Sequence, residues 1–200
     1  MGRLFFYFGT MGGSKTANAL MMNFKYQEKG KLSWLIKPAT DTRDDTQDEF
    51  GNKVITIKSR IGLKAEAVAI AESDNIYDLY FKFKNKRPDV IICDEAQFLT
   101  AEQVEQFKEI LSVVDINILC YGLRTDFLTQ LFPGSKRLFE LADSIIELEN
   151  ICDCGRPAIV NARINEKGQV MLEGDQVEIG GDSRYKALCW KCYKEKQLNN

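Results

Sequence analysis

The sequence predicts an α/β fold, a parallel sheet flanked by helices with a small C-terminal β unit stapled by cysteines. Three observations lead there. Over residues 1–149 short continuous apolar runs alternate with longer periodic segments, the pattern of buried strands and crossover helices. After Asn150 only short β-like runs remain, too little apolar material for an independent core. Four of the six cysteines, Cys152, Cys154, Cys189 and Cys192, fall in that last quarter as two close pairs. The chain therefore divides into an α/β domain over residues 1–149, a β unit over 150–193 and a polar, frayed tail over 194–200.

Taken in order, the short apolar runs place strands at 4–8, 32–36, 54–57, 90–94, 116–121 and 144–148. The periodic segments between them place helices at 15–28, 64–71, 76–86, 101–114 and 136–141. The fourth helix carries the firmest start signal: Thr100 stands three residues before Gln103, the spacing at which the two side chains cap each other's exposed backbone amides. It follows directly on Val90-Ile91-Ile92-Cys93-Asp94, a strand-to-helix crossover typical of nucleotide-binding sheets. In the C-terminal unit, 158–164 and 169–172 read as short β-like runs, followed by a Gly180-Gly181 pair.

Composition removes whole classes of chemistry. With 200 residues, 44% of them hydrophobic, the chain has enough material for a real core. The 27 basic and 29 acidic residues leave a net charge of −2, which argues against nonspecific gripping of a polyanion. There is no histidine, so a Ser-His-Asp triad, a Cys-His pair and every His-containing zinc site are excluded. Acid–base work must fall to carboxylates, Lys, Tyr or Cys. No apolar run approaches the length of a membrane span and the start lacks a cleavable signal, so a cytoplasmic protein with no membrane partner is expected. In that reducing compartment paired cysteines read as metal ligands, while Cys93 and Cys120, inside apolar strands, read as core.

Gly9-Thr10-Met11-Gly12-Gly13-Ser14-Lys15-Thr16 lies between the first strand and the first helix, where a phosphate-binding Walker A loop belongs. Small residues there let successive amides wrap a phosphate, Lys15 can reach the β and γ groups, and the Thr16 hydroxyl suits Mg²⁺. Ser14 stands where the pattern has its second glycine, and Gly12 and Gly13 before it offer freedom to absorb the unusual dihedrals. Asp94 ends an apolar strand, as a carboxylate that helps hold Mg²⁺ does; Glu95, one residue further, is placed to take a proton from an acceptor hydroxyl or from water. Two cysteine pairs about 35 residues apart make a structural Cys₄ zinc site, closed to substrate.

Asp94-Glu95-Ala96-Gln97-Phe98-Leu99, Cys120-Tyr121-Gly122-Leu123-Arg124-Thr125-Asp126-Phe127 and the late cysteine pairs flanking residues 174–185 resemble the thymidine kinases of the zinc-carrying, RecA-like type. Asp41-Thr42-Arg43 and Ser59-Arg60-Ile61-Gly62 also match family-like segments, and the resemblance runs from Leu4 to about Tyr193. It implies a P-loop, RecA-like sheet with a zinc-binding lid. It implies ATP at residues 9–16 and 94–97, including Ala96 and Gln97, with Mg²⁺ at Asp94 and Glu95 deprotonating the nucleoside 5′-hydroxyl. It implies that Phe98, Leu123, Phe127 and Phe132 wall the thymidine base pocket and that Ile179, Gly180, Gly181 and Tyr185 close over it. Arg43 and Arg60 become candidates for stabilising the transferring phosphoryl group. A homotetramer and feedback by dTTP are implied in the same way.

Two departures stand out: Ser14 in place of the family's usual glycine, and one residue between Cys152 and Cys154 where many relatives have two. Two other readings remain beside the kinase. One is a RecA-like ATPase acting on nucleic acid, in which Glu95 would activate water; the other is a zinc-ribbon interaction module on a degenerate P-loop.

Overall fold

The computed structural model describes residues 1–42, 45–47, 53–174, 176 and 184–198. In chain order the elements are β1 (Leu4–Phe8), α1 (Lys15–Glu28), β2 (Ser33–Pro38), β3 (Thr46–Gln47), β4 (Lys53–Val54), β5 (Thr56–Lys58), β6 (Lys64–Glu66), β7 (Val68–Ile70), α2 (Ile76–Phe81) and β8 (Val90–Cys93). There follow a 3-10 turn (Ala96–Phe98), α3 (Ala101–Val113), β9 (Asn117–Gly122), α4 (Pro133–Leu141), β10 (Ser144–Glu147), β11 (Val160–Arg163), β12 (Tyr185–Leu188) and α5 (Trp190–Leu198). Among them six strands pair in parallel in the order β10-β1-β9-β8-β2-β7.

Each central strand is apolar on both faces because both faces are covered. On one side Leu4, Phe6, Ile91, Cys93, Ile118 and Cys120 pack beneath α2, α3 and α4. On the other, Val90, Ile92, Leu119 and Tyr121 meet Ala19 and Leu20 of α1 and Ile57 of β5. Cys93 and Cys120 are thus core residues, and burial pushes both thiols above their ordinary values. The expected reciprocal cap of α3 is present: Gln103 N donates to Thr100 Oγ1 at 3.1 Å and Thr100 N to Gln103 Oε1 at 3.2 Å.

Several elements differ from their sequence expectation. Residues 64–71, expected as a helix, form β6 and β7. Alanine at every second position made the segment look helical, yet its exposure alternates: Lys64, Glu66 and Val68 face out while Ala65, Ala67 and Ile70 pack inward. β7 becomes the edge of the parallel sheet in place of the expected 54–57 strand. That strand is broken into β4 and β5, which form antiparallel hairpins with β3 and β6 outside the main sheet. α2 stops at Phe81 rather than 86: Lys82, Lys84 and Lys86 offer no apolar face, and the chain must leave the helical region before Pro88. α4 starts three residues earlier than expected, with Pro133 in its first turn.

The C-terminal unit is an antiparallel pair, β11 with β12, closed by α5. The 169–172 run contributes only a bridge between Ile164 and Val170. Residues 194–198, expected as a frayed tail, continue α5, because Tyr193 is buried against the small core of Val160, Ala162 and Leu188 and anchors the helix.

At the carboxyl end of β2, Lys37 is 1% exposed and its ammonium lies 2.9 Å from Asp45 and 3.6 Å from Asp41. It also donates to the Thr56 carbonyl at 3.1 Å. This pins the segment leaving β2 across the end of the sheet. Lys37→Met is expected to cost roughly 3–5 kcal/mol, since it removes the buried cation that Asp41 and Asp45 both face. Urea unfolding of the two proteins measures it.

Candidate active site

Strand register brings the functional segments to one edge. Phe8 pairs with Gly122, Cys93 with Cys120 and Ile36 with Cys93, so β1, β9, β8 and β2 all end on the same side of the sheet. That edge is where ligands bind in open parallel sheets. There a cavity of about 370 Å³ is lined by Met11, Gly12, Ser14, Lys15, Thr16, Asp41, Ser59, Arg60, Asp94, Glu95 and Leu123, among others.

The glycine loop is held from behind. Gly9 lies so close to the end of β10 that a Cβ would sit 2.5 Å from the Leu148 carbonyl oxygen, so only glycine fits. Gly13 N donates to the Thr10 carbonyl at 3.0 Å, and Lys15 Nζ donates to the same oxygen at 2.8 Å. Gly12 takes the left-handed φ of 82°, as its sequence position suggested. Ser14 does too, at φ 57°, so the glycine pair does not relieve it of the strained conformation. Ser14→Gly is therefore expected to stabilise the protein by up to about 1 kcal/mol, the left-handed cost of a side chain less the added chain entropy of glycine. Thermal unfolding of the two proteins checks it.

Glu95 also has a left-handed backbone, at φ 51°. The turn throws its side chain into the cavity while Asp94 stays buried at the end of β8. Burial and the neighbouring Glu95 charge raise the Asp94 carboxyl above the usual range, against a hydrogen bond from Thr16 and the charge of Lys15. A buried carboxylate facing a threonine hydroxyl is a donor set suited to a hard divalent cation, whose charge would offset the cost of ionising Asp94 there. Gln97 Nε2 hydrogen-bonds Glu95 Oε2, and Gln97 Oε1 accepts from Leu123 N at 3.0 Å. Of the two residues expected at the nucleotide beside this pair, Ala96 packs its side chain into the core and Gln97 bridges Glu95 and Leu123.

The other expected site residues divide. Arg60 reaches the cavity, and a Cβ on Gly12 would lie 3.5 Å from its Nη1. Leu123 faces the same space, while Phe98 and Phe132 pack edge to face with ring centres 5.6 Å apart. Phe127 is buried, with the Arg163 guanidinium 3.9 Å above its ring. Arg163, 3% exposed, also donates from Nε to the Tyr185 hydroxyl at 3.0 Å. The sequence alone marks neither Arg163 nor Asp41 as a site residue; an isolated arginine in a short β run carries no local motif. Arg43, Ile179, Gly180 and Gly181 lie outside the described residues.

Cys152, Cys154, Cys189 and Cys192 converge, with their sulfur atoms all within 4.8 Å of one another. Sulfurs around a tetrahedral zinc stand roughly 3.8 Å apart, so small adjustments would close the shell. The Cys192 amide donates to Cys189 Sγ at 3.5 Å and pulls that thiol down to about 6, toward the thiolate that a metal requires. The single residue between Cys152 and Cys154 does not prevent the cluster from forming.

A lysine-bearing glycine loop on one wall and a carboxylate pair on the other, both at the carboxyl edge of a parallel sheet, are how P-loop proteins hold a nucleoside triphosphate. The sequence comparisons narrow that class. The family model for thymidine kinase matches residues 2–193. A thymidine kinase of Legionella pneumophila (strain Paris) is 46% identical over 97% of this chain and 90% of its own length. One from Vibrio cholerae is 42% identical over 98% of both chains, and one from Rhodopirellula baltica 40% identical over 98% of this chain and 89% of its own. The chain belongs to the thymidine kinase family. Neither the nucleic-acid ATPase nor the interaction module is favoured by that membership. No helix among the described residues is long and apolar enough to cross a membrane.

Proposed function

We propose that this chain transfers the γ-phosphoryl group of ATP to the 5′-hydroxyl of thymidine. The observation that carries the reading is the convergence of Lys15, Thr16, Arg60, Asp94 and Glu95 on one cavity. Phosphoryl transfer needs positioning and charge neutralisation more than covalent chemistry, and this set supplies both. The first-turn amides of α1 and Lys15 hold the phosphates. Thr16 and Asp94 would hold Mg²⁺, which when bound neutralises charge on the β and γ oxygens. Glu95, kept in place by Gln97, takes the proton from the 5′-hydroxyl as that oxygen attacks in line. Arg60, with Arg43 as a second candidate, neutralises charge on the moving phosphoryl group.

Leu123, Phe98, Phe127 and Phe132 form the apolar side that receives thymine, and residues 179–185 close over it, excluding water as a competing acceptor. The four cysteines bind structural zinc and clamp both ends of that lid. Within the same proposal the protein is a cytoplasmic homotetramer inhibited by dTTP; the family resemblance supports these statements. The test is a panel of nucleosides given with ATP and Mg²⁺, following ADP release. ADP formation that depends on thymidine is the expected result, and equal rates with and without every nucleoside would overturn the reading.

A further inference from the structure

Asn161 sits on β11, in the C-terminal unit, yet its side chain is 3% exposed and both of its ends bind elsewhere. Oδ1 accepts the Met11 amide of the glycine loop at 2.7 Å. Nδ2 donates to the Thr125 carbonyl at 3.1 Å, in the segment that carries Leu123, Phe127 and Phe132. A second asparagine holds the loop from the same side: Asn150 Nδ2 donates to the Met11 carbonyl at 2.8 Å and to Thr10 Oγ1 at 3.1 Å. The backbone of Met11 is therefore gripped at both its amide and its carbonyl, and of the two asparagines it is Asn161 that continues the connection to the opposite wall.

We propose that Asn161 is a positioning residue that couples the phosphate loop to the nucleoside wall through the cysteine-stapled sheet. The proposal rests on the kinase reading of the cavity. Its physical content is simple. With the Met11 amide committed to Asn161, the loop is aimed so that the α1 amides face the phosphates. With the Thr125 carbonyl committed to the same side chain, the nucleoside segment cannot shift without pulling on the loop. Ordering either segment with a ligand prepays part of the cost of ordering the other, which is positive coupling between ATP and nucleoside. Asn150 bonds the loop and its own neighbours Ile151 and Ala158 but not the Thr125 segment, so it shares the first role and not the second.

The test measures dissociation constants for thymidine and for a nonhydrolysable ATP analogue by calorimetry, each alone and with the other ligand saturating, for the wild type, Asn161→Ala, Asn161→Ser and Asn150→Ala. Wild type is expected to bind each ligand more tightly in the presence of the other. Asn161→Ala should weaken both ligands by about tenfold, the scale of removing one buried hydrogen-bonding partner, and bring the coupling factor toward one. Asn150→Ala should weaken the ATP analogue alone and keep the coupling. If Asn161→Ala folds poorly, Asn161→Ser carries the same expectation at smaller size. A wild-type coupling factor of one, or a factor left unchanged in both Asn161 variants, overturns the proposal. A lowered melting temperature with unchanged constants assigns Asn161 a structural role only and overturns it as well. Failure of the kinase reading itself is seen separately, as wild-type protein that binds the analogue but no thymidine.

Discussion

Glu95→Gln is expected to lower dTMP formation by about 10²–10⁴-fold, the usual contribution of a positioned general base, while thymidine binds with nearly unchanged affinity. The substitution keeps the side-chain length and an oxygen for Gln97 to bond, so the left-handed turn and its anchor persist. What it removes is the carboxylate proposed to accept the 5′-hydroxyl proton. Chains without histidine have few alternatives: Asp94 is buried and turned toward Thr16, and Lys15 donates to the loop. Single-turnover formation of dTMP, together with calorimetric thymidine binding, separates the two effects. Full turnover in this variant would remove Glu95 from its role.

The second large effect is expected on stripping metal from the cysteine cluster. The unit around β11, β12 and α5 has a small core of which Cys152 and Cys189 are themselves part. Structural zinc contributes about 10–16 kcal/mol of apparent binding energy in small zinc-dependent folds, more than such a core supplies. Prolonged chelation, or Cys189→Ser, should therefore produce a separate early unfolding transition with the six-stranded sheet still intact. Thymidine affinity should fall with it by tenfold or more. Tyr193 donates to the Phe127 carbonyl, Arg163 covers the Phe127 ring and Asn161 holds Thr125, so the segment proposed to wall the nucleoside leans on this unit. Metal-free protein that melts in one unchanged transition and binds thymidine as before would contradict the assignment.

What was legible in the chain was whatever local spacing encodes. The glycine loop, Asp94-Glu95 and the cysteine pairs are contiguous motifs, and the capped start of α3 is a local hydrogen-bond pattern. The continuous apolar strands of the central sheet could be read for the same reason. Residues 64–71 could not, because a run with alanine at alternate positions satisfies helical and extended periodicity equally, and contact with β2 and the α1-side core decides between them. Asn150, Asn161 and Arg163 carry no motif at all, and the segment that contains Gln97 gives no sign of its bond to Leu123. Their importance comes from partners 26 to 150 residues away or from rings they cover, and only folding brings these together. The strain at Ser14 lies between these cases: its departure from glycine was visible, but whether the neighbouring glycines or Ser14 itself would take the left-handed turn depended on the loop's anchoring to Leu148 and Asn150.

If the proposed chemistry holds, this cavity delivers the phosphoryl group to a nucleoside hydroxyl and not to water. Protein incubated with γ-labelled ATP, Mg²⁺ and thymidine, with label followed into dTMP and inorganic phosphate, tests it directly. One labelled dTMP is expected for each ADP formed, with almost no labelled phosphate. ADP accompanied by labelled phosphate, with no labelled nucleotide, would contradict it.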